Sequence, residues 1–522
     1  MRTTSSTSFT TAAVAASLLA ACGGDGSSTP PTSAAQACAN VAGQTMVGAV
    51  NLTAAVVAAS GVAPTYCKVN GTIPPSLNFE VRLPDKWNGK LYYEGGGGFD
   101  GSIPPIDGLP TTALNKGYAV AASDSGHQGS VVDASFALDP YARELWGSQS
   151  VPTVMSTAVE LVTNTYGSRP TRSYFEGCSN GGREGLMAAQ RSPNLFDGIV
   201  ARAPAYNIVG FFGAWNKTNK AQAAPGGQLT TAKVATLAAA VRATCDGLDG
   251  VVDGVVSNLT ACAAAFDPLV LRCVGGADAG DTCLSDAQLA AVHSRIDPAT
   301  FGTSPLYPTY TNAGAYFTGN EDDPGAWAQW ISGGGNFRNG LQFLLADSFV
   351  KYYLARDPTV DSVTYAPYDQ DAAALFAAST EADATKTDLS SFRDSGGKLI
   401  LWQGGADSAF SPRSTEAYYT GVVTAMGGQA QADAFVRSYV APGVNHCGGG
   451  PGADTSDLLE ALDQWVTAST PPATLSATKL DATGAVAFSR PLCQYPQYPR
   501  YTGPAGNATA VASASNYTCT AP

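Results

Sequence analysis

Apolar and polar positions begin to alternate at residues 77–83, the period-two signature of a strand with one buried face. A turn-forming stretch at 84–89 and a short apolar run at 90–93 extend this into a hairpin-like opening, which leads straight into the glycine run Gly95 to Gly98. Residues 117–122 read as a buried strand, 151–166 as a helix, 173–176 as a strand, 183–192 as a helix and 198–203 as another strand. Strands that alternate with helices predict a parallel α/β sheet. The rhythm breaks at residue 206 and returns only at 398–402 and 435–440. The interval is loop-rich, holds four cysteines, and clusters aromatics, among them Phe211, Phe212, Trp215, Trp327, Trp330, Phe337 and Phe343. The expected organisation is an α/β-hydrolase core in two parts, 37–205 and 397–522, interrupted by a large inserted lid domain at 206–396.

The amino-terminal residues follow another pattern. Arg2 precedes an apolar stretch at 12–20 that is too short to span a bilayer as a mature helix. It ends in Leu19-Ala20-Ala21-Cys22, which resembles a bacterial lipobox. Residues 1–22 therefore read as a lipoprotein signal peptide with Cys22 lipidated, and 23–36 as a flexible Gly/Ser/Thr/Pro tether. The expected location is exported, either periplasmic or anchored in the outer membrane, with membrane contact only through that lipid. Eleven cysteines less Cys22 leave an even number, as an oxidising compartment favours. Local spacing suggests Cys38–Cys67, Cys245–Cys262, Cys273–Cys283 and Cys493–Cys519, leaving Cys178 and Cys447 for each other. A net charge of −13, with no basic patch, argues against a nucleic-acid partner.

Two short motifs carry the chemistry. Gly177-Cys178-Ser179-Asn180-Gly181 is a G-x-S-x-G elbow, the strand-to-helix turn that exposes a nucleophilic serine in this fold. Asn445-His446-Cys447 holds one of only three histidines in the chain. If Ser179 and His446 meet in space, the two neighbouring sulfurs can bond. A serine hydroxyl needs a base, and the base needs a carboxylate to orient it, in the chain order Ser, Asp or Glu, His. Asp407 follows the predicted strand 398–402 and completes that order; Asp433 and Asp463 are the alternatives. His127 precedes Ser179 and breaks the order, and His293 sits on a helix-like lid stretch. The oxyanion hole is expected from the backbone N–H of Asn180 and of Gly97 or Gly98.

Asp246, Asp249 and Asp253 crowd one glycine-rich turn between Cys245 and Cys262. Such close carboxylates repel unless a hard cation neutralises them. Structural Ca²⁺ in the lid is therefore expected, with the carbonyls of Val251 and Val255 as further ligands. The EF-hand spacing is absent.

These motifs resemble the tannase and feruloyl esterase family, which includes mono(2-hydroxyethyl) terephthalate hydrolases. The resemblance is carried by Gly177-Cys178-Ser179-x-Gly181-Gly182-Arg183, the glycine loop with Phe99, Ala121-x-x-Asp124-x-Gly126-His127, Gly404-x-x-Asp407, His446-Cys447, the Cys245-Asp246-Gly247 turn and Cys493-x-Tyr495-Pro496. It implies a disulfide between Cys178 and Cys447, the same five calcium positions, and hydrolysis of a small aromatic ester of feruloyl, hydroxycinnamoyl or galloyl type. A half-ester specificity like that of the terephthalate enzymes is the alternative, with Arg338 holding the substrate carboxylate and Trp327 and Trp330 lining the pocket. From another class, a non-catalytic surface binding protein could keep the same fold.

Overall fold

The computed structural model describes residues 32–522 apart from 43, 45, 47 and 107. The expected signal segment, Cys22 and the tether as far as residue 31 lie outside the described residues. Helix α1 (Ala34–Val41) begins inside the expected tether, capped by Ser33, whose side chain accepts from Gln36 N–H. The disulfide Cys38–Cys67 ties this helix to the sheet.

Nine strands form that sheet: β1 (Val50–Val57), β2 (Tyr66–Ile73), β3 (Leu77–Pro84), β4 (Lys90–Glu94), β5 (Ala119–Ser123), β6 (Arg172–Cys178), β7 (Gly198–Arg202), β8 (Lys398–Gly404) and β9 (Val436–Ala441). Their spatial order is β1-β2-β3-β5-β4-β6-β7-β8-β9. The pairs β1/β2, β2/β3 and β3/β5 are antiparallel, and every later pair is parallel. Strands β5 and β7 are buried along their whole length, as interior parallel strands must be when both faces are covered. Neighbouring side chains alternate between two cores. Phe175, Tyr93 and Leu401 enter the larger one, and Tyr174, Tyr92 and Trp402 the smaller.

The hairpin expected at 77–93 does not form, because β5 lies between β3 and β4. The intervening turn at 85–89 is held elsewhere. Trp87 stacks on Tyr166 at 4.5 Å, and Asn88 N–H donates to the Gly117 carbonyl at 2.8 Å, just before β5. Tyr166 ends α2 (Ser150–Tyr166), while α3 (Asn180–Arg191) follows β6 directly. Strands β1 and β2 precede the region where alternation was read, and two carboxyl-terminal hairpins were likewise not anticipated (Leu475–Leu480 with Val486–Leu492, Tyr498–Tyr501 with Tyr517–Thr520).

Residues 206–396 leave the sheet after β7 and return at β8. This stretch is more helical than its composition suggested: α4 (Ile208–Ala223), α5 (Thr231–Cys245), α6 (Asp286–Ile296) and α7 (Leu341–Phe349) are its main elements. Polar residues at their starts explain this. Asn207 accepts from Gly210 N–H, Thr230 from Lys233 N–H, and Ser285 and Gln288 form a reciprocal capping box. The insertion shares one hydrophobic core with the sheet, since Phe212, Trp215, Leu289 and Leu345 pack in the same cluster as Phe175 and Leu401. The four cysteine pairs suggested by spacing are bonded, and so is the remaining pair, Cys178–Cys447. An oxidising compartment favours such a disulfide set. Among the described residues no helix is long and apolar enough to cross a membrane.

Candidate active site

Ser179 sits between β6 and α3 with φ +65° and ψ −119°, a left-handed conformation that costs a non-glycine residue about 1–3 kcal/mol. The neighbouring glycines permit that turn. A Cβ on Gly177 would come 2.8 Å from the Gly181 backbone, and one on Gly181 would come 2.8 Å from the Gly96 carbonyl. Backbone thus meets backbone, and Gly181 N–H donates to Gly96 O at 2.9 Å. Ser179 itself is held by its N–H to Arg202 O at 3.0 Å and by Ala205 N–H to its carbonyl at 3.0 Å.

Asp407 and His446 come from the loops after β8 and β9. His446 Nδ1 lies 2.8 Å from Asp407 Oδ2. The same oxygen accepts from Gln403 Nε2 at 2.8 Å, and Oδ1 accepts from the N–H groups of Ala409 and Phe410 at 2.8 and 2.9 Å. Four donors therefore fix a carboxylate that is 4% exposed. Behind it, Arg295 of α6 donates to the Ser408 carbonyl at 2.8 Å and Gln342 of α7 donates to the same oxygen at 2.9 Å. Burial pulls the Arg295 guanidinium down to about 10, with the Asp407 charge opposing. The His446 ring is clamped edge-on by Trp330 at 4.8 Å and Phe410 at 5.3 Å. Its Nε2 is buried without a hydrogen-bond partner, free to take a proton, and it opens on the same cavity as Ser179. The Cys178–Cys447 bridge, across 269 residues of sequence, joins the residue before the serine to the residue after the histidine.

The cavity is about 380 Å³ and mostly apolar. Phe212, Trp215, Trp330, Leu341, Leu345 and Phe410 wall one part of it, and Gly95 to Gly98, Ser179 and Asn180 another. In the glycine loop, Gly95 N–H is bonded to Glu176 O and Gly96 N–H to Glu184 Oε2. Among the described residues no acceptor stands against the N–H of Gly97 or Gly98. Both glycines line the cavity with Asn180, the first residue of α3, where the helix leaves N–H groups free. Glu94, at the end of β4, also faces the cavity. Its Oε2 accepts from Tyr92 Oη at 2.5 Å. Burial pushes its carboxyl up to about 8, with the Tyr92 bond opposing and the Glu176 charge adding to the rise. No Lys or Arg is among the lining residues.

Some expected residues lie elsewhere. Trp330 lines the cavity, whereas Trp327 is buried beside it and is not part of the wall. Arg338 is exposed at the protein surface, packed on Phe343 at 4.9 Å and 3.7 Å from Asp361, and does not reach the cavity. A short turn after the Gly333 to Gly335 run carries it outward. His127 is buried and stacked on Phe136 at 3.8 Å, and burial holds its ring down to about 4. His293 is partly exposed on α6 beside Asp297. Asp463 bonds Lys90 and Tyr174, and Asp433 bonds Arg437, so neither alternative acid approaches His446. Sequence reading did not pick out Glu94, Asp100, Glu184 or Arg295, since none sits in a motif and their neighbours come from distant segments.

At the acidic turn, Asp246 accepts from Gly254 N–H at 3.0 Å and Asp249 from Val251 N–H at 3.2 Å. Asp253 pairs with Arg490 at 2.7 Å and accepts from Val255 N–H at 3.1 Å. Among the described residues no three carboxylate, imidazole or thiolate groups converge in a metal-binding arrangement. The donor chemistry nevertheless fits a hard cation. Asp249 is 1% exposed and has no basic side chain within ion-pairing distance among the described residues.

An elbow serine, a histidine on a buried aspartate and an apolar cavity above a mainly parallel sheet define a carboxylic ester hydrolase of the α/β-hydrolase class. Residues 59–520 match the family described as tannase and feruloyl esterase, and the chain belongs to that family. It is 35% identical to a mono(2-hydroxyethyl) terephthalate hydrolase of Piscinibacter sakaiensis, over 89% of this chain and 86% of that one. It is 32% identical to a probable feruloyl esterase of Arthroderma benhamiae, over 81% of this chain and 79% of that one. Its fold matches feruloyl esterase B of Aspergillus oryzae with a TM-score of 0.78 at 24% identity, over 93% of this chain and all of that one. A tannin acyl hydrolase of Aspergillus niger matches with a TM-score of 0.72 at 22% identity, over 94% and 95% of the two chains.

The last two glycines of the loop after β4, Gly97 and Gly98, separate in a simple test. Gly97 has open space where a Cβ would stand, whereas Gly98 has φ +57° and would press a Cβ onto Val131. Gly97→Ala is expected to unfold within about 0.5 kcal/mol of wild type, and Gly98→Ala to lose more than about 1 kcal/mol, by urea titration.

Proposed function

We propose that the protein is a serine esterase that cleaves esters of aromatic acids of the feruloyl, hydroxycinnamoyl or galloyl type through an acyl-enzyme. The observation that carries this reading is the His446 ring, held by Asp407 on one nitrogen and open to the cavity of Ser179 on the other. In the first step His446 Nε2 takes the Ser179 hydroxyl proton as the oxygen attacks the ester carbonyl. The N–H groups of Asn180 and of Gly97 or Gly98 receive the developing oxyanion, and the alcohol leaves with the proton from His446. Water then repeats the sequence on the acyl-enzyme and releases the acid. Asp407 keeps Nδ1 protonated and stays ionised throughout.

The cavity supports the choice of acyl group. Phe212, Trp215, Trp330 and Phe410 offer ring faces and edges to a flat aromatic acid. Each such contact contributes about 0.5–1.5 kcal/mol beyond area burial. With no lysine or arginine among its lining residues to pair a carboxylate, and with Glu94 becoming negative above about 8, the cavity favours an uncharged substrate over a half-ester that carries its own carboxylate. The relative named for terephthalate half-esters keeps that activity as the second reading, and intact Ser179, Asp407 and His446 stand against a purely binding role. Export with a lipid anchor at Cys22, and Ca²⁺ held by Asp246, Asp249, Asp253 and the carbonyls of Val251 and Val255, complete the proposal. The anchor is supported by the lipobox resemblance and the ion by the uncompensated Asp249 carboxylate.

Ser179→Ala and His446→Ala are expected to lose about 10⁴- to 10⁶-fold in kcat while folding normally, and Asp407→Asn about 10⁴-fold. Steady-state rates on methyl ferulate check this, and wild-type-like turnover by purified Ser179→Ala would refute the mechanism. Methyl ferulate or methyl gallate should exceed p-nitrophenyl palmitate by at least about tenfold in kcat/KM.

Glu94 gives the half-ester question a pH signature. Its carboxyl is neutral below about 8 and negative above. For mono(2-hydroxyethyl) terephthalate, kcat/KM should fall through that pH more steeply than for methyl ferulate, and Glu94→Gln should remove the difference. Identical profiles for the two substrates would show that Glu94 does not sense the substrate's charge.

Calcium, if bound, acts through the fold. Elemental analysis should find it in the pure protein, and a strong chelator should lower Tm by about 1–2 °C, as loss of about 1–2 kcal/mol does in a protein of this size. No metal, and no change on chelation, would leave the acidic turn merely hydrogen-bonded.

A further inference from the structure

Under the glycine loop lies a buried acidic cluster that ester hydrolysis as described above does not use. Asp100, Ser125, Asn180 and Glu184 are 2%, 1%, 2% and 5% exposed. Asp100 Oδ1 accepts from Asn180 Nδ2 at 2.6 Å, and Asp100 Oδ2 is hydrogen-bonded to Ser125 Oγ. Glu184 Oε1 lies 3.3 Å from both Ser125 Oγ and Asn180 Nδ2, and Glu184 Oε2 accepts from Gly96 N–H at 3.1 Å. The two carboxyl groups thus share the same two donors, the single hydroxyl hydrogen of Ser125 and the Asn180 amide.

The charges around this cluster do not balance two carboxylates. The adjacent guanidinium, Arg183, gives its N–H groups to Asn180 Oδ1 at 2.7 Å and to the carbonyls of Trp146, Gly147 and Ala382. It attracts both acids but bonds neither. From β4, Tyr93 also faces the pair and brings no positive charge. Two carboxyl groups crowded onto the same two donors, away from water and without a bonded cation, cannot both ionise. A proton kept between them supplies the missing donor.

We infer that Asp100 and Glu184 share one proton and act as a positioning pair that fixes the oxyanion hole. Through Gly96 N–H, Glu184 holds the loop that presents Gly97 and Gly98. Through the Asn180 side chain, Asp100 holds the residue after the nucleophile. The shared proton keeps the loop and the first turn of α3 at their close approach, and its loss sets two like charges against each other beneath the hole.

This inference rests on Ser179 being the nucleophile, and amide substitutions test the two separately. Asn at 100 or Gln at 184 mimics the protonated acid. Asp100→Asn and Glu184→Gln are therefore expected to keep kcat on methyl ferulate within about threefold of wild type, whereas Asp100→Ala and Glu184→Ala lose about 10²-fold or more with KM nearly unchanged. The wild-type kcat should also fall on the alkaline side as the shared proton leaves, and that fall should vanish in Glu184→Gln. Where an alanine variant does not fold, by circular dichroism, the amide variants and the pH profile still decide. Amide variants as damaged as their alanine counterparts, or an alkaline limb unchanged in Glu184→Gln, would overturn the shared proton. Activity surviving in Ser179→Ala would instead overturn the nucleophile on which it rests.

Discussion

The site depends on backbone meeting backbone. The loop after β4 and the first turn of α3 approach until Gly96 O accepts from Gly181 N–H at 2.9 Å, and a Cβ on Gly95 or Gly181 would run into the opposing backbone. That contact decides where Ser179 points and which N–H groups remain free. Because Gly95 and Gly96 have their own acceptors, the open donors are those farther along the loop, beside the serine. The Cys178–Cys447 bridge adds a second constraint of the same kind. It closes a loop for which chain entropy alone gives at most about 5 kcal/mol. Its larger effect is on position, since a shift of about 1 Å between reacting groups can cost ~10²-fold in rate.

Charge is handled differently at each depth. Asp407 is fully paired, with four donors on its two oxygens and the Arg295 guanidinium behind. Glu94 is exposed only to the cavity, and burial keeps it neutral over most of the physiological range. Asp100 and Glu184 sit where neither water nor a bonded cation reaches them. Three kinds of carboxyl group thus lie around one cavity, and environment, not residue type, separates them. The family relatives act on different esters by name, while this cavity has an acid in its wall, and the arginine expected to hold a substrate carboxylate, Arg338, is on the outside.

Much of this was legible in the chain because the informative residues are local. The elbow, the order Ser179, Asp407, His446, and the four short-range cysteine pairs each depend on spacing that a linear reading can measure. The parallel core was legible for the same reason, as its strands are short apolar runs between helices. What escaped depends on contacts between distant segments. Nothing in residues 77–93 says that β5 will separate two consecutive strands; Trp87 packing on Tyr166 does so. Asp100 and Glu184 are 84 positions apart, and only the fold buries both against Ser125. Arg338 drew attention only by resemblance, and the glycine-rich turn before it directs it to solvent. The helices of 206–396 were hidden by weak amphipathicity, although their capping residues were in plain view.

Arg295 and Gln342 reach from two different helices of the insertion to one carbonyl, that of Ser408, beside the aspartate that orients the histidine. A cover fastened at that point cannot swing away as a flap without dragging part of the reaction centre with it. The roof of this cavity is better regarded as a keystone than as a door. Substitutions on the cavity-facing side of the insertion can then leave that seat, and with it the aspartate and the histidine, in place.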